Sequence, residues 1–234
     1  MKPWLLTIGI LIIPALTWGA VSFDVINQVT YMVSGTRNIT VTIAGSGETL
    51  YVMNNAGVGG AAPSAISYNS VALTQVFSTN TTNGNFTLWN LPNPASGANT
   101  LAVTSSAQIY GFAIAYAGAS QTVGYDAIVV SSNASSIVAS STLTTVANNS
   151  WVVSDIYDAA SAGFYPNLPF TKRANDTDFA QFAIVDNNGP ITPAGTFAST
   201  CPLGVSSYWT MISWSVAPTA TAPAGNALFY GTDP

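Results

Sequence analysis

Histidine is absent from the 234 residues, and cysteine occurs once, as Cys201. Without histidine, neither a Ser-His-Asp triad nor a Cys–His nucleophile can be assembled. A lone cysteine forms no internal disulfide. Cys201 reads as a small buried hydrophobe, with an intermolecular disulfide or a reactive thiol as the alternative. Charge is equally scarce. Charged residues make up 6% of the chain, against about 25% in an average soluble domain. The net charge of -5 comes from four basic and nine acidic groups. No basic patch exists, which makes nucleic acid and anionic membrane surfaces poor partners. Glu48 is the single glutamate, so a glycosidase pair of facing carboxylates would have to come from aspartates that nothing in the sequence pairs. No P-loop, dinucleotide fingerprint or Cys/His metal spacing occurs. These absences point to a protein that is not an enzyme and uses no cofactor.

What is present is β-forming. Hydrophobic residues make up 48%, enough for a sizeable core. Gly, Pro, Asn and Ser interrupt the chain every ten or so residues, the spacing of a sandwich or barrel. Ile39, Val41 and Ile43 alternate with Thr40 and Thr42, as a half-buried strand does. Residues 109–116 are apolar on both faces, which suits a central strand packed on two sides. Pro92, Pro94 and Gly97 punctuate the turn before it, and Asn69-Ser70 marks a tight turn between two shorter runs. The pattern predicts an all-β chain, an antiparallel sandwich of about a dozen strands. Further strands are expected at 125–130, 136–146, 150–157, 179–185, 206–216 and 226–230, with a long irregular segment at 159–178. Trp151, Trp209 and Trp214 fall in strands and read as core.

Residues 1–19 have the form of a secretory signal. Lys2 supplies the positive start, 4–16 is a short apolar run, and Thr17 and Gly19 are small residues before the cleavage point. A membrane anchor is the competing reading, but the run falls short of the ~20 residues that a spanning helix needs. No other stretch could cross as a helix, so no span remains after cleavage. Residues 20–36 form an N-terminal strand and linker, and 37–234 a single sandwich domain.

The order of motifs resembles that of jelly-roll-type sandwich modules in surface and secreted proteins of bacteria, archaea and their viruses. The turn carries Trp89, Leu91, Pro94 and Gly97. The following strand ends with Tyr116, Gly118 and Gln121, and a late strand carries Met211 and Trp214. The likeness runs over about 49–230 and implies a jelly-roll-like fold without catalytic residues. The SYNS turn and the 159–178 insertion depart from the pattern. More loosely, the chain is similar to archaeal extracellular filament subunits, thread- or pilus-like sandwich glycoproteins. In those, the N-terminal strand of one subunit completes the sheet of the next, a β-strand addition. The matching segment here is 21–33, VSFDVINQVTYMV. Its apolar or aromatic residues Val21, Phe23, Val25, Ile26, Val29, Tyr31 and Val33 are the candidate donor-strand residues, followed by Ser34-Gly35-Thr36. An ordinary intramolecular first strand is the other reading.

Six Asn-x-Ser/Thr sequons, at Asn38, Asn80, Asn85, Asn133, Asn148 and Asn175, are candidate glycan acceptors in a secreted chain. Glycans would supply hydration that the missing charges do not. Asp155, Asp158, Asp176, Asp178 and Asp186 are the only acidic grouping. Oxygen-rich loops can hold Ca²⁺, but no EF-hand spacing is present and Asp is an ordinary turn former, so no metal is assigned. Lys172-Arg173, the one basic doublet, reads as a solvated loop. The expectation is a non-enzymatic, secreted, extracellular or cell-surface structural subunit. It would form a homo-oligomer or polymer through strand exchange, as part of a filament or coat. The alternative is a secreted carbohydrate-binding or adhesion module presenting Tyr157, Phe164 and Tyr165 to glycans.

Overall fold

The computed structural model describes residues 20–29, 34–122, 124–160, 163–176 and 181–220. The signal segment, Tyr31 and Val33, Asp178 and the expected strand at 226–230 lie outside these residues. Fourteen strands and no helix are found among those described: β1 (Ser22–Val29), β2 (Gly35–Ile43), β3 (Glu48–Asn55), β4 (Ala65–Tyr68), β5 (Val71–Ala72), β6 (Thr74–Thr81), β7 (Gly84–Pro92), β8 (Gly97–Ser105), β9 (Tyr110–Ala117), β10 (Ile128–Thr144), β11 (Trp151–Asp158), β12 (Thr171–Asn175), β13 (Phe182–Asp186) and β14 (Thr196–Val216). The fold is all-β and every ladder is antiparallel, as the sequence predicts.

The described strands form three sheets. The middle one has the order β1-β9-β3-β7-β6; a short outer sheet runs β2-β8-β4-β5; a long outer sheet runs β10-β14-β11-β13-β12. Strand periodicity explains how one sheet serves two cores, since successive side chains point to opposite faces. In β3, Tyr51 and Met53 join the core against the long sheet, while Leu50 and Val52 join the core against the short sheet. In β9, Phe112, Ile114 and Tyr116 face the long sheet; Ala113 and Ala115 face the short one. The two-sided apolar run at 109–116 is therefore a central strand, with β1 on one side and β3 on the other.

The 85–118 stretch threads between layers. β7 lies in the middle sheet, β8 in the short sheet, and β9 returns to the middle. Pro92 ends β7, Asn93 takes a left-handed backbone (φ 50°), and Gly97 (φ 87°) starts β8 in the other layer. Asn69 and Ser70 both have positive φ (49° and 64°), which makes the expected tight turn between β4 and β5 a primed one.

The predicted strands at 125–130 and 136–146 are one bent strand, β10, with register shifts around Asn133–Ser136 and Ser136–Val138. Its partner β14 starts at Thr196, ten residues before the predicted 206–216 strand. The distal parts of β10 and β14 fold back over the outer face of the long sheet. There Ala139, Cys201 and Leu203 pack on Ile156, Ala183 and Val185. A run of buried serine hydroxyls fastens this flap: Ser141 to Ser213 (2.5 Å), Ser213 to Ser154 (2.7 Å) and Ser154 to Ser199 (2.9 Å). Cys201 is buried in it, and burial pushes its thiol up to about 11. The segment 159–178 is not wholly irregular, because it contains β12, paired with β13.

Candidate functional site: the seat of the first strand

β1 is an edge strand of the middle sheet. It pairs with β9 alone, from Ser22 opposite Ala117 to Val29 opposite Gly111. A bulge between Phe23 and Val25 gives Asp24 its own direction, and its carboxylate accepts a hydrogen bond from the Ala44 amide (3.0 Å). Val21, Phe23 and Ile26 then face the core against the long sheet; Val25 and Val29 face the core against the short sheet. Five of the seven candidate donor-strand residues are thus placed, divided between two cores. Most of β1 is half-buried; Val21 and Val29 are buried.

The seat has a built entrance. A Cβ added at Gly118 (φ 70°) would lie 2.1 Å from the Ala20 carbonyl oxygen, so only glycine lets the start of β1 pass there. Further in, Arg173 of β12 spreads its guanidinium over the Phe23 ring, 4.3 Å from the centroid. Its Nε pairs with Asp186 Oδ2 at 2.7 Å, and Nη2 donates to Asn188 Oδ1 at 2.6 Å. The Tyr116 hydroxyl donates to the same Asp186 oxygen (2.8 Å), and burial and that carboxylate raise the phenol well above its ordinary range. At the far end, Gln28 Nε2 donates to Asp176 Oδ1 (2.5 Å). Glu48, buried on β3, is pushed up to about 7 by burial and by the Asp24 carboxyl of β1 beside it.

Arg173, Asp186 and Tyr116 line the seat of β1, a place that the sequence reading did not give them. The basic doublet is not a solvated loop. Lys172 is exposed, but the Arg173 side chain is only 14% exposed, because β12 turns it inward against β13. The only available signal was rarity, since Arg37, Lys172 and Arg173 are the only basic residues after 19.

The aspartates among the described residues do not converge. Asp155 lies mid-β11, buried, and its Oδ1 makes no hydrogen bond; burial pushes it up to about 8. Asp158 accepts from the Ala160 amide, Asp176 holds Gln28, and Asp186 holds Arg173. Among the described residues, no three His, Cys, Asp or Glu side chains are grouped to hold a metal.

The sequons separate by exposure. Asn38 and Thr40, Asn80 and Thr82, and Asn133 and Ser135 are exposed at both ends of the motif. Asn85 is half-buried and its Thr87 is fully buried, with the Thr87 hydroxyl accepting from the Trp89 indole (3.1 Å). Asn148 is exposed but Ser150 is buried, donating to Asp126. Asn175 is half-buried and its Thr177 lies outside the described residues.

Of the three aromatics expected to meet glycans, only Tyr165 is well exposed (60%). Phe164 is buried in the flap core, and Tyr157 lies against Phe182 (5.1 Å between centroids). Trp151, Trp209 and Trp214 are buried, as predicted. A hollow of about 310 Å³ on the short sheet is lined by Thr40, Ser67, Asn69, Asn99, Thr100 and neighbouring small residues. It offers hydroxyls and amides but no ring on which a sugar could stack.

Comparison with family models, with curated proteins and with solved structures returns no match. The functional reading therefore rests on the seat itself.

Proposed function

We propose that the chain is a non-enzymatic extracellular structural subunit that self-assembles into a surface filament or coat. The N-terminal strand of one copy would occupy the β1 seat of the next. The observation that carries this reading is the position of β1. It is an edge strand held by one ladder, yet its side chains fill two cores, so its departure leaves a slot that only another such strand fills. Gly35 (φ 136°), opposite Ser105 of β8, opens β2 with a backbone conformation that a side chain would strain. Asn27 Oδ1 is buried without a partner among the described residues, an unmet acceptor that makes the closed form easier to leave.

Exchange replaces each contact by the same contact from a neighbour, so the intrinsic energies nearly cancel. What favours the closed monomer is the effective concentration of a tethered strand, in the millimolar range for a short flexible linker. Polymer is favoured where secreted chains emerge unfolded and crowded. The sparse charge opposes such association only weakly. Deleting residues 21–33 is expected to abolish filaments seen by electron microscopy of the secreted protein. Unchanged filaments would sink the proposal.

Exposed sequons fit the same surface role, since glycans would hydrate a subunit with few charges. Glycopeptide mass spectrometry of the secreted protein is expected to find Asn38, Asn80 and Asn133 occupied, and Asn85 and Asn148 bare if transfer follows folding. Full occupancy at Asn85 would place transfer before folding.

A further inference from the structure

We propose that Arg173 selects the strand that enters the seat by requiring an aromatic ring at the inward position just before its bulge, the place of Phe23. This inference rests on the strand-addition reading above and names what the seat recognises: an extended segment from a second copy, with an aromatic residue, isoleucine three positions on, and an amide five positions on.

The recognition plate stands without the strand. Arg173 is held by Asp186 (2.7 Å) and Asn188 (2.6 Å), and Asp186 is held in turn by the Tyr116 hydroxyl (2.8 Å) and the Asn188 amide (3.1 Å). All of these groups belong to β9, to β12 or to β13 and the residues just after it, and none to β1. The guanidinium is therefore oriented before a strand arrives, with one flat face turned into the slot. Phe23 covers that face at 4.3 Å and meets the Tyr116 ring edge-on at 6.2 Å. An aromatic face attracts a cation through its quadrupole, more strongly where water is excluded. An aliphatic side chain of similar size fills the space but leaves the guanidinium face unanswered. Lysine at 173 could keep a charge near Asp186 but has no plane to lay on the ring.

A second pin fixes register. Gln28 reaches Asp176 at the other end of the strand. With the bulge between Phe23 and Val25, only one alignment puts the ring under Arg173 and the amide on Asp176 together. A slip of one residue would turn every side chain to the wrong core.

The test uses the full chain refolded from denaturant with excess labelled peptides of residues 21–33. These carry Phe, Tyr, Leu or Ala at position 23, and peptide capture is read by fluorescence anisotropy after size-exclusion chromatography. The Phe and Tyr peptides are expected to be captured alike, and the Leu peptide roughly tenfold less well. In a chain with Arg173→Lys, the Phe-over-Leu preference is expected to shrink to within about twofold. A chain with Arg173→Met and Asp186→Asn together guards against misfolding from an unpaired buried carboxylate, and it should lose the preference too. Equal capture of Phe and Leu peptides by the unaltered chain overturns the role of Arg173 alone. So does a preference that survives both variants. Failure to capture any peptide, even at peptide concentrations above the millimolar effective concentration of the chain's own tethered strand, overturns the strand-addition reading and this inference with it.

Discussion

Replacing Trp214 with alanine is expected to cost about 4 kcal/mol of stability and to lower the melting temperature by roughly 10 °C. Trp214 is fully buried in β14, opposite Ile128 on one side and Val153 on the other, and its ring lies 6.1 Å from Tyr51 of the middle sheet. It thus joins two layers as well as three strands. The indole Nε1 has no hydrogen-bond partner among the described residues, so the side chain works through volume and shape. Trp214→Phe removes that unanswered donor and keeps most of the ring, and it is expected to cost less than about 1.5 kcal/mol. Urea denaturation followed by circular dichroism measures both. Equal costs for the two substitutions would show that the indole nitrogen matters.

Stability is expected to fall as the pH rises from about 4 to about 8, and then to level off. Asp155 is buried, its Oδ1 has no partner, and burial pushes it from the ordinary 3.8 to about 8. Between those values the folded chain keeps a proton that the unfolded chain releases. The stabilisation is complete below the lower value and is lost as the pH climbs through the upper one. A rise of that size corresponds to at most about 6 kcal/mol, at ~1.4 kcal/mol per tenfold. Glu48, raised to about 7 by burial and by Asp24, adds to the same slope and places part of it at the β1 seat. No histidine titrates in this window to mask the effect. Denaturation at pH 4, 6 and 9 should show Asp155→Asn close to the parent at pH 4 and more stable than it at pH 9. A variant whose pH profile parallels the parent would mean that another group is responsible. Glu48→Gln should remove the pH dependence of hydrogen exchange in β1 and leave most of the global slope.

The strands were legible because alternation and turn residues are local. Ile39, Val41 and Ile43 face inward or partly so, Asn69-Ser70 turns, and the two-sided run at 109–116 is a central strand. Layer assignment was not legible. β7, β8 and β9 are consecutive, yet they alternate between two sheets, and nothing in a strand's own pattern names the sheet it joins. β10 looked like two strands because its register shifts between Asn133 and Val138 break the alternation without ending the ladder. β12 hid inside an irregular stretch because its five residues are nearly all half-buried, which gives no period to read. The segment at 21–33 was legible as a strand, and β1 covers its first part. The groups that hold β1, Arg173, Asp186 and Tyr116, come from β12, β13 and β9. Only the closed fold brings them together.

The place of β14 governs when the molecule can exist at all. The last described strand lies second in its sheet, between β10 and β11. Ile128 must wait for Trp214, its partner 86 residues later (214 − 128). During synthesis the long sheet has no closing piece until the end of β14 has emerged, and pairing of such distant segments is intrinsically slow. The two sheets built from β1 to β9 need nothing from β14, so it is the long sheet alone that stays open until nearly the whole chain has been made.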